Sequence, residues 1–181
     1  MGGYLNTAGN QKEDAITGRV PMFTNNDVTL WRCRPASQQV ELFRNALADE
    51  ILFVHRGSGK LLTHFGTLPF KPFDYVVIPR CTTYRVEFDS LAPSPDLLVI
   101  ESPGTIGFPE RYLNPDGQFR LGAPFGERDL HAGRPWQPED TPPSVRFPSS
   151  GRMRVASPGG ATTSVLCDGI ACDGFIWKYL W

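Results

Sequence analysis

Between residues 40 and 101 one pattern recurs six times: a short run rich in β-branched and aromatic residues, followed by a break. The runs at 40–43, 50–56, 60–65, 74–79, 82–88 and 96–101 have the length of strands, and no window of useful length carries an apolar stripe at the 3.6-residue helical period. Six short strands at even spacing call for an antiparallel barrel or sandwich. A seventh strand is expected at 28–33, where Val28, Leu30 and Arg32 alternate with Thr29, Trp31 and Cys33.

Single runs add detail. Ile51-Leu52-Phe53-Val54 is apolar at every position, as for a strand covered on both faces. Tyr84, Val86 and Phe88 alternate with Arg85 and Glu87, as for a strand with one wet face. Glycines supply the positive φ of a tight turn, so Arg56-Gly57-Ser58-Gly59 reads as a two-residue hairpin. That hairpin would set His64 opposite Ile51, roughly 13 Å from His55 at ~3.3 Å per residue.

Outside this region the pattern fades. Residues 1–27 read as an irregular lead-in and 28–131 as the β domain. Ten of the 17 prolines and eleven of the 18 glycines follow residue 101. Residues 132–181 are therefore expected to form a tail of long Pro/Gly-rich loops or partial disorder, with 132–160 having the least surface to bury.

With 181 residues, 40% of them hydrophobic, the chain can build one real core. Its 18 basic and 19 acidic residues gather in no run, which gives no field for nucleic acid or anionic lipid. No stretch approaches the ~20 apolar residues that span a bilayer, and the Met-Gly-Gly-Tyr start lacks the features of a signal peptide, so no membrane partner and a cytoplasmic location are expected. Cys33, Cys81, Cys167 and Cys172 form no CxxC pair and are expected as reduced thiols; Cys167 and Cys172 lack the second half of a zinc site.

Common catalytic patterns fail on specific residues. Gly57-Ser58-Gly59-Lys60 is no phosphate loop, because Val54 stands where the first glycine belongs and Leu61 where a Ser or Thr would touch magnesium. Ser58 lacks a nucleophile elbow, and His55, His64 and His131 are scattered, solvent-facing candidates. Asp49, Glu50, Asp74, Glu87 and Glu101 alternate with apolar residues as barrel-wall groups do. One pocket suggests itself: Tyr75, Tyr84, Phe53, Phe65 and Phe73 around a small aromatic acid, with Arg80 or Arg85 on its carboxylate. Core packing with surface arginines is the competing reading.

Residues 50–59 and 74–84 resemble the two signature strand pairs of the cupin superfamily. In its metal-binding members the first pair carries His-x-His and then Glu, and the second ends in His. Those positions fall here on Phe43, Asn45, Glu50 and Tyr84. Iron(II) or zinc needs about three N, S or carboxylate ligands, so this barrel is expected to hold no metal and to be structural.

The likeness is narrower than the superfamily. Residues 18–29, 43–46, 49–55, 74–86, 98–101, 111–114, 117–118 and 124–129 together resemble homogentisate 1,2-dioxygenase and its relatives, covering about residues 4–131. The resemblance implies a much longer protein, in which a β domain like this one precedes a second cupin. That second cupin holds Fe(II) through two histidines and a glutamate and opens the ring of homogentisate with dioxygen, giving maleylacetoacetate in tyrosine and phenylalanine breakdown. By this likeness the chain is an N-terminal structural domain, truncated at both ends and inactive alone, with no Fe(II) of its own. Its implied partners are the second, catalytic cupin domain or further copies of itself. The alternative is a free-standing, metal-less cupin that binds a small ligand or a protein.

The chain also departs from the family. Phe73 and Cys81 stand at turn positions where the family has glycine, and a side chain held at positive φ costs on the order of 1 kcal/mol. Residues 168–177 are faintly similar to the family's Val-Val-Gly-Trp-Asp-Gly stretch, with Ala171 and Cys172 replacing Gly-Trp and Val165 where a histidine is usual.

Overall fold

Strands and little else make up the computed structural model, which describes residues 13–63 and 65–134 and the backbone of three later strands. In chain order the strands are β1 Arg19–Thr24, β2 Thr29–Cys33, β3 Leu42–Asn45, β4 Asp49–Arg56, β5 Gly59–Thr63, β6 Gly66–Phe70, β7 Tyr75–Ile78, β8 Thr83–Phe88, β9 Asp96–Ser102, β10 Leu130–Ala132, β11 Ser150–Ala156, β12 Thr162–Asp168 and β13 Trp177–Tyr179. They form two sheets, ordered β1-β2-β9-β4-β7-β13-β10 and β12-β11-β3-β8-β5-β6. All ladders between them are antiparallel except that of β11 with β3. One flank is seamed where Thr67 of β6 and Arg134, just beyond β10, exchange backbone hydrogen bonds of 2.9 and 2.8 Å.

Side-chain period fixes which face is inside. On β8, Tyr84, Val86 and Phe88 are buried while Arg85 and Glu87 point outward and pair at 2.6 Å, as the alternation predicts. On β4, Leu52 and Val54 are buried, but Ile51 and Phe53 are only half-buried. The all-apolar run is therefore packed fully on one face alone, a correction to the two-face expectation. Leu61, Leu68, Phe70, Val76, Ile78, Leu97 and Val99 complete the apolar interior, each worth about 1.5–3 kcal/mol when fully buried.

The glycine turn differs from its predicted role. β4 pairs with β7 and β9, whereas β5 pairs with β6 and β8, so residues 56–59 carry the chain from one sheet to the other and close no hairpin. Gly57 has φ +104°, and a Cβ on Gly59 would sit 2.1 Å from the Glu87 carbonyl oxygen. Such a corner needs glycine as strictly as a hairpin does, which is why the sequence could not separate the two. The pairing of His64 with Ile51 falls with the hairpin, and His64 itself lies outside the described residues. Ser58 donates its hydroxyl to Asp89 Oδ2 at 2.7 Å, bracing the corner.

Other boundaries shift for local reasons. The run at 60–65 ends at Thr63, whose Oγ1 donates to the Gly66 carbonyl and accepts from the Phe65 N–H, both at 3.1 Å, turning the chain into β6. The first run begins at Leu42, not residue 40, and Val40 is 80% exposed. Within its described residues, 13–27, the lead-in contains β1, where an irregular segment was expected. His131 lies on β10. The tail expected to be loops contributes β11, β12 and β13; Met153 and Val155 alternating with Arg152 and Arg154 is the period-2 signal that marks β11. Phe73 (φ 73°) and Cys81 (φ 64°) hold the left-handed conformation expected at their turns. Among the described residues no helix is long and apolar enough to cross a membrane.

Candidate functional site

Three of the four positions matched to cupin metal ligands, Phe43, Glu50 and Tyr84, meet between the sheets, and the fourth, Asn45, is buried beside them with other partners. Phe43 and Tyr84 are direct cross-strand partners on β3 and β8, their rings edge to face with centroids 5.5 Å apart. Glu50, on β4 of the facing sheet, is wholly buried and accepts the Tyr84 hydroxyl at 2.5 Å. Asn45 accepts the N–H groups of Leu47 and Ala48 through Oδ1 and donates through Nδ2 to Glu101 at 2.7 Å. Trp31 Nε1 donates to the other Glu101 oxygen at 2.8 Å.

At the centre of this group is a residue of the lead-in that no sequence motif singles out. Arg19, at the start of β1, donates from Nη1 to Glu50 Oε1 at 2.5 Å and from Nη2 to the Tyr84 hydroxyl oxygen at 2.8 Å. Its Nε donates to the Ala15 carbonyl at 3.1 Å, and its Cζ lies 5.4 Å from the Phe43 ring centroid. The turn before it is held by Asp14, whose Oδ1 accepts the N–H groups of Ile16 and Thr17 at 2.9 Å. Ala15 and Ile16 pack into the core beside it. A basic residue between two glycine- and proline-marked bends carries no spacing signal; only the need of a buried carboxylate for a cation would have pointed to it.

Electrostatics follows from burial. Desolvation alone would lower the Arg19 pKa, but the Glu50 and Tyr84 interactions outweigh it and raise the value above the ordinary arginine range. Burial, with Glu50 adding and Arg19 opposing, pushes the Tyr84 phenol well above its usual value, so it stays a neutral donor. Burial likewise pushes the neighbouring Cys33 thiol up to about 12. Cys33 and Cys81 are free thiols; Cys167 lies on β12 and Cys172 outside the described residues.

This donor set does not fit iron. Phe43 offers no lone pair, both Glu50 oxygens accept hydrogen bonds, and the Asn45 carboxamide is engaged at both ends. A divalent ion would also meet the Arg19 guanidinium head-on. Among the described residues no three His, Cys, Asp or Glu side chains are grouped to hold a metal.

The pocket suggested by the sequence is not assembled. Tyr84 faces the interior, whereas Arg85, the next residue on β8, faces out to Glu87. Tyr75 lies on the outer face of the other sheet, its ring 4.7 Å from Phe53. Arg80 is turned to Asp49, with Nε 3.1 Å from Oδ1, and to the Pro103 carbonyl. Phe73 is exposed at its turn, and Phe65 packs against the core edge. Period-2 geometry separates Tyr84 from Arg85, and the two-sheet topology separates Tyr75 from both. His55 and His131 are exposed, as expected.

A shallow groove of about 250 Å³ does open on the outer face of the first sheet, lined by Met22, Arg32, Phe53, His55, Asp96 and Leu98. Asp96 anchors its polar side. Its carboxylate accepts Arg32 at 2.8 and 3.1 Å and Arg34 at 3.2 Å. Burial would raise the Asp96 pKa, but these two arginines outweigh it and hold the carboxyl below its ordinary value.

The fold is an all-β pair of largely antiparallel sheets, and the four positions matched by resemblance to cupin metal ligands carry Phe43, Asn45, Glu50 and Tyr84, whose side chains are buried. No protein-family profile matches it. Over 121 residues the chain is 34% identical to the Saccharolobus solfataricus protein named "Putative dioxygenase SSO1533", a match covering 66% of this chain and 30% of that relative. It thus spans under a third of the length of the curated relative it matches. Among solved structures, a cupin-2 domain containing protein from Shewanella frigidimarina NCIMB 400 aligns at 15% identity over 46% of this chain and 78% of its own, with a TM-score of 0.41. KdgF from Halomonas sp. aligns at 17% identity over 48% of this chain and 78% of its own, also with a TM-score of 0.41. No functional weight attaches to structural likenesses of that size.

Proposed function

We propose that this chain is the non-catalytic β domain of a ring-cleaving dioxygenase of the homogentisate 1,2-dioxygenase type. Its role in that assembly is to pack against a second cupin that carries the iron, or to hold copies of the protein together. The supporting observation is the filled interior: Arg19 and Tyr84 take up both Glu50 oxygens, Asn45 is engaged by Glu101 and the Leu47 and Ala48 N–H groups, and Phe43 has no lone pair to offer, where a metal cupin would present open ligands. The segment-wise resemblance to the homogentisate family and the partial match to a far longer relative point the same way.

The test is oxygen uptake with homogentisate and metal analysis on the purified 181-residue chain. The chain alone is expected to retain no stoichiometric iron and to consume no oxygen. Adding a separately produced C-terminal cupin domain of the family is expected to give a complex and restore turnover. Ring cleavage by the chain alone would overturn the proposal, and failure to associate with that domain would favour a free-standing binding module.

A further inference from the structure

We infer that the Arg19 guanidinium is a built-in replacement for the metal ion of this barrel type, so that the cation needed by Glu50 comes from β1 and not from solution. This holds whether or not the domain belongs to a dioxygenase, because it rests on the geometry around Arg19 and on the likeness of four positions to cupin metal ligands.

Arg19 touches three of the four metal-ligand positions: it reaches Glu50 at 2.5 Å and Tyr84 at 2.8 Å and lies over the Phe43 ring at 5.4 Å. The fourth, Asn45, is turned away to Glu101. Charge balances one to one, since a single buried carboxylate faces a single buried guanidinium, with side chains 0% and 9% exposed. A divalent ion in the same place would leave an unmatched positive charge in a low-dielectric interior.

Shape matches as well. Guanidinium is planar, and here its separate N–H groups meet a carboxylate, a phenol and a backbone carbonyl while its face meets an aromatic ring. An ammonium offers neither the plane nor the fork, so lysine would satisfy Glu50 and leave Tyr84 and Ala15 without their donor. The absence of three imidazoles and the presence of the arginine are thus complementary: the charge of Glu50 is balanced from within the chain.

Equilibrium urea unfolding tests this with Arg19→Ala. The folding equilibrium constant is expected to fall about a hundredfold or more, because Glu50 is left buried without a counter-charge. Low-millimolar guanidinium chloride is expected to restore part of that loss by occupying the vacated space, while equal sodium chloride or manganese chloride is not. As a second readout, Arg19→Met combined with Glu50→Gln is expected to be more stable than Arg19→Met alone. The inference is overturned if Arg19→Met costs as much in the Glu50→Gln background as in the unaltered chain, or if the double variant fails to fold. It is also overturned if the unaltered chain binds one divalent ion in a manner abolished by Glu50→Gln.

Discussion

Two arginine–carboxylate clusters lie on opposite faces of one sheet, and they differ in who else is present. Inside, Glu50 has one arginine and one phenol, and the side chains of the ion pair are 0% and 9% exposed. Outside, Asp96 has two arginines, and water reaches both, at 31% and 40% side-chain exposure. The inner pair must be complete because water does not reach it to stand in for a missing member, whereas the outer one can lend either arginine to solvent. Identical chemistry thus serves as a structural keystone on one face and as an adjustable rim on the other.

The largest effect expected is that of Glu50→Gln, which strands the buried guanidinium and should cost about 3–5 kcal/mol in denaturant unfolding. A loss under about 1 kcal/mol would erase the contrast between the two faces. Tyr84→Phe removes the donor to Glu50 and should cost about 2 kcal/mol by the same measurement. Asp96→Asn should cost about 1 kcal/mol, discounted for the exposure of its partners. It carries a further signature in pH. Because the folded Asp96 pKa is depressed, its stabilising contribution is complete above the ordinary carboxylate value of 3.8 and is lost as pH falls through the lower folded value. The variant's acid-unfolding limb should therefore be shallower, with Asp49, whose pKa is also lowered, supplying what remains. Arg34→Ala should change stability by less than about 0.5 kcal/mol, and a larger loss would mean that the outer cluster is as indispensable as the inner one.

What the sequence disclosed depended on whether the signal was local. β4, β7, β8 and β9 were legible because apolar periodicity and flanking breaks are properties of a few consecutive residues. Phe73 and Cys81 were legible as positive-φ residues because they replaced glycines in a recognisable turn. β6 was hidden by Pro69, and the sheet-changing corner at 57–59 looked like a hairpin because glycine permits both. Phe43, Asn45, Glu50 and Tyr84 were found through resemblance, but their partner Arg19 lies 31 residues before Glu50 and 65 before Tyr84. Only the packing of the two sheets face to face brings those residues into contact, so no short window along the chain contains the site.

Pro21 bears on self-association. β1 and β12 are the terminal strands on the flank opposite the Thr67–Arg134 seam. Among the described residues neither has a second neighbour, and a strand edge of that kind is a template on which a second molecule can add its own backbone. On β1 the proline has no N–H to offer, and the ladder register slips between Pro21 and Phe23. The residue that disguises β1 from pattern reading thereby blunts the edge against fibre-like growth, even with Met22 and Phe23 left 44% and 53% exposed beside it.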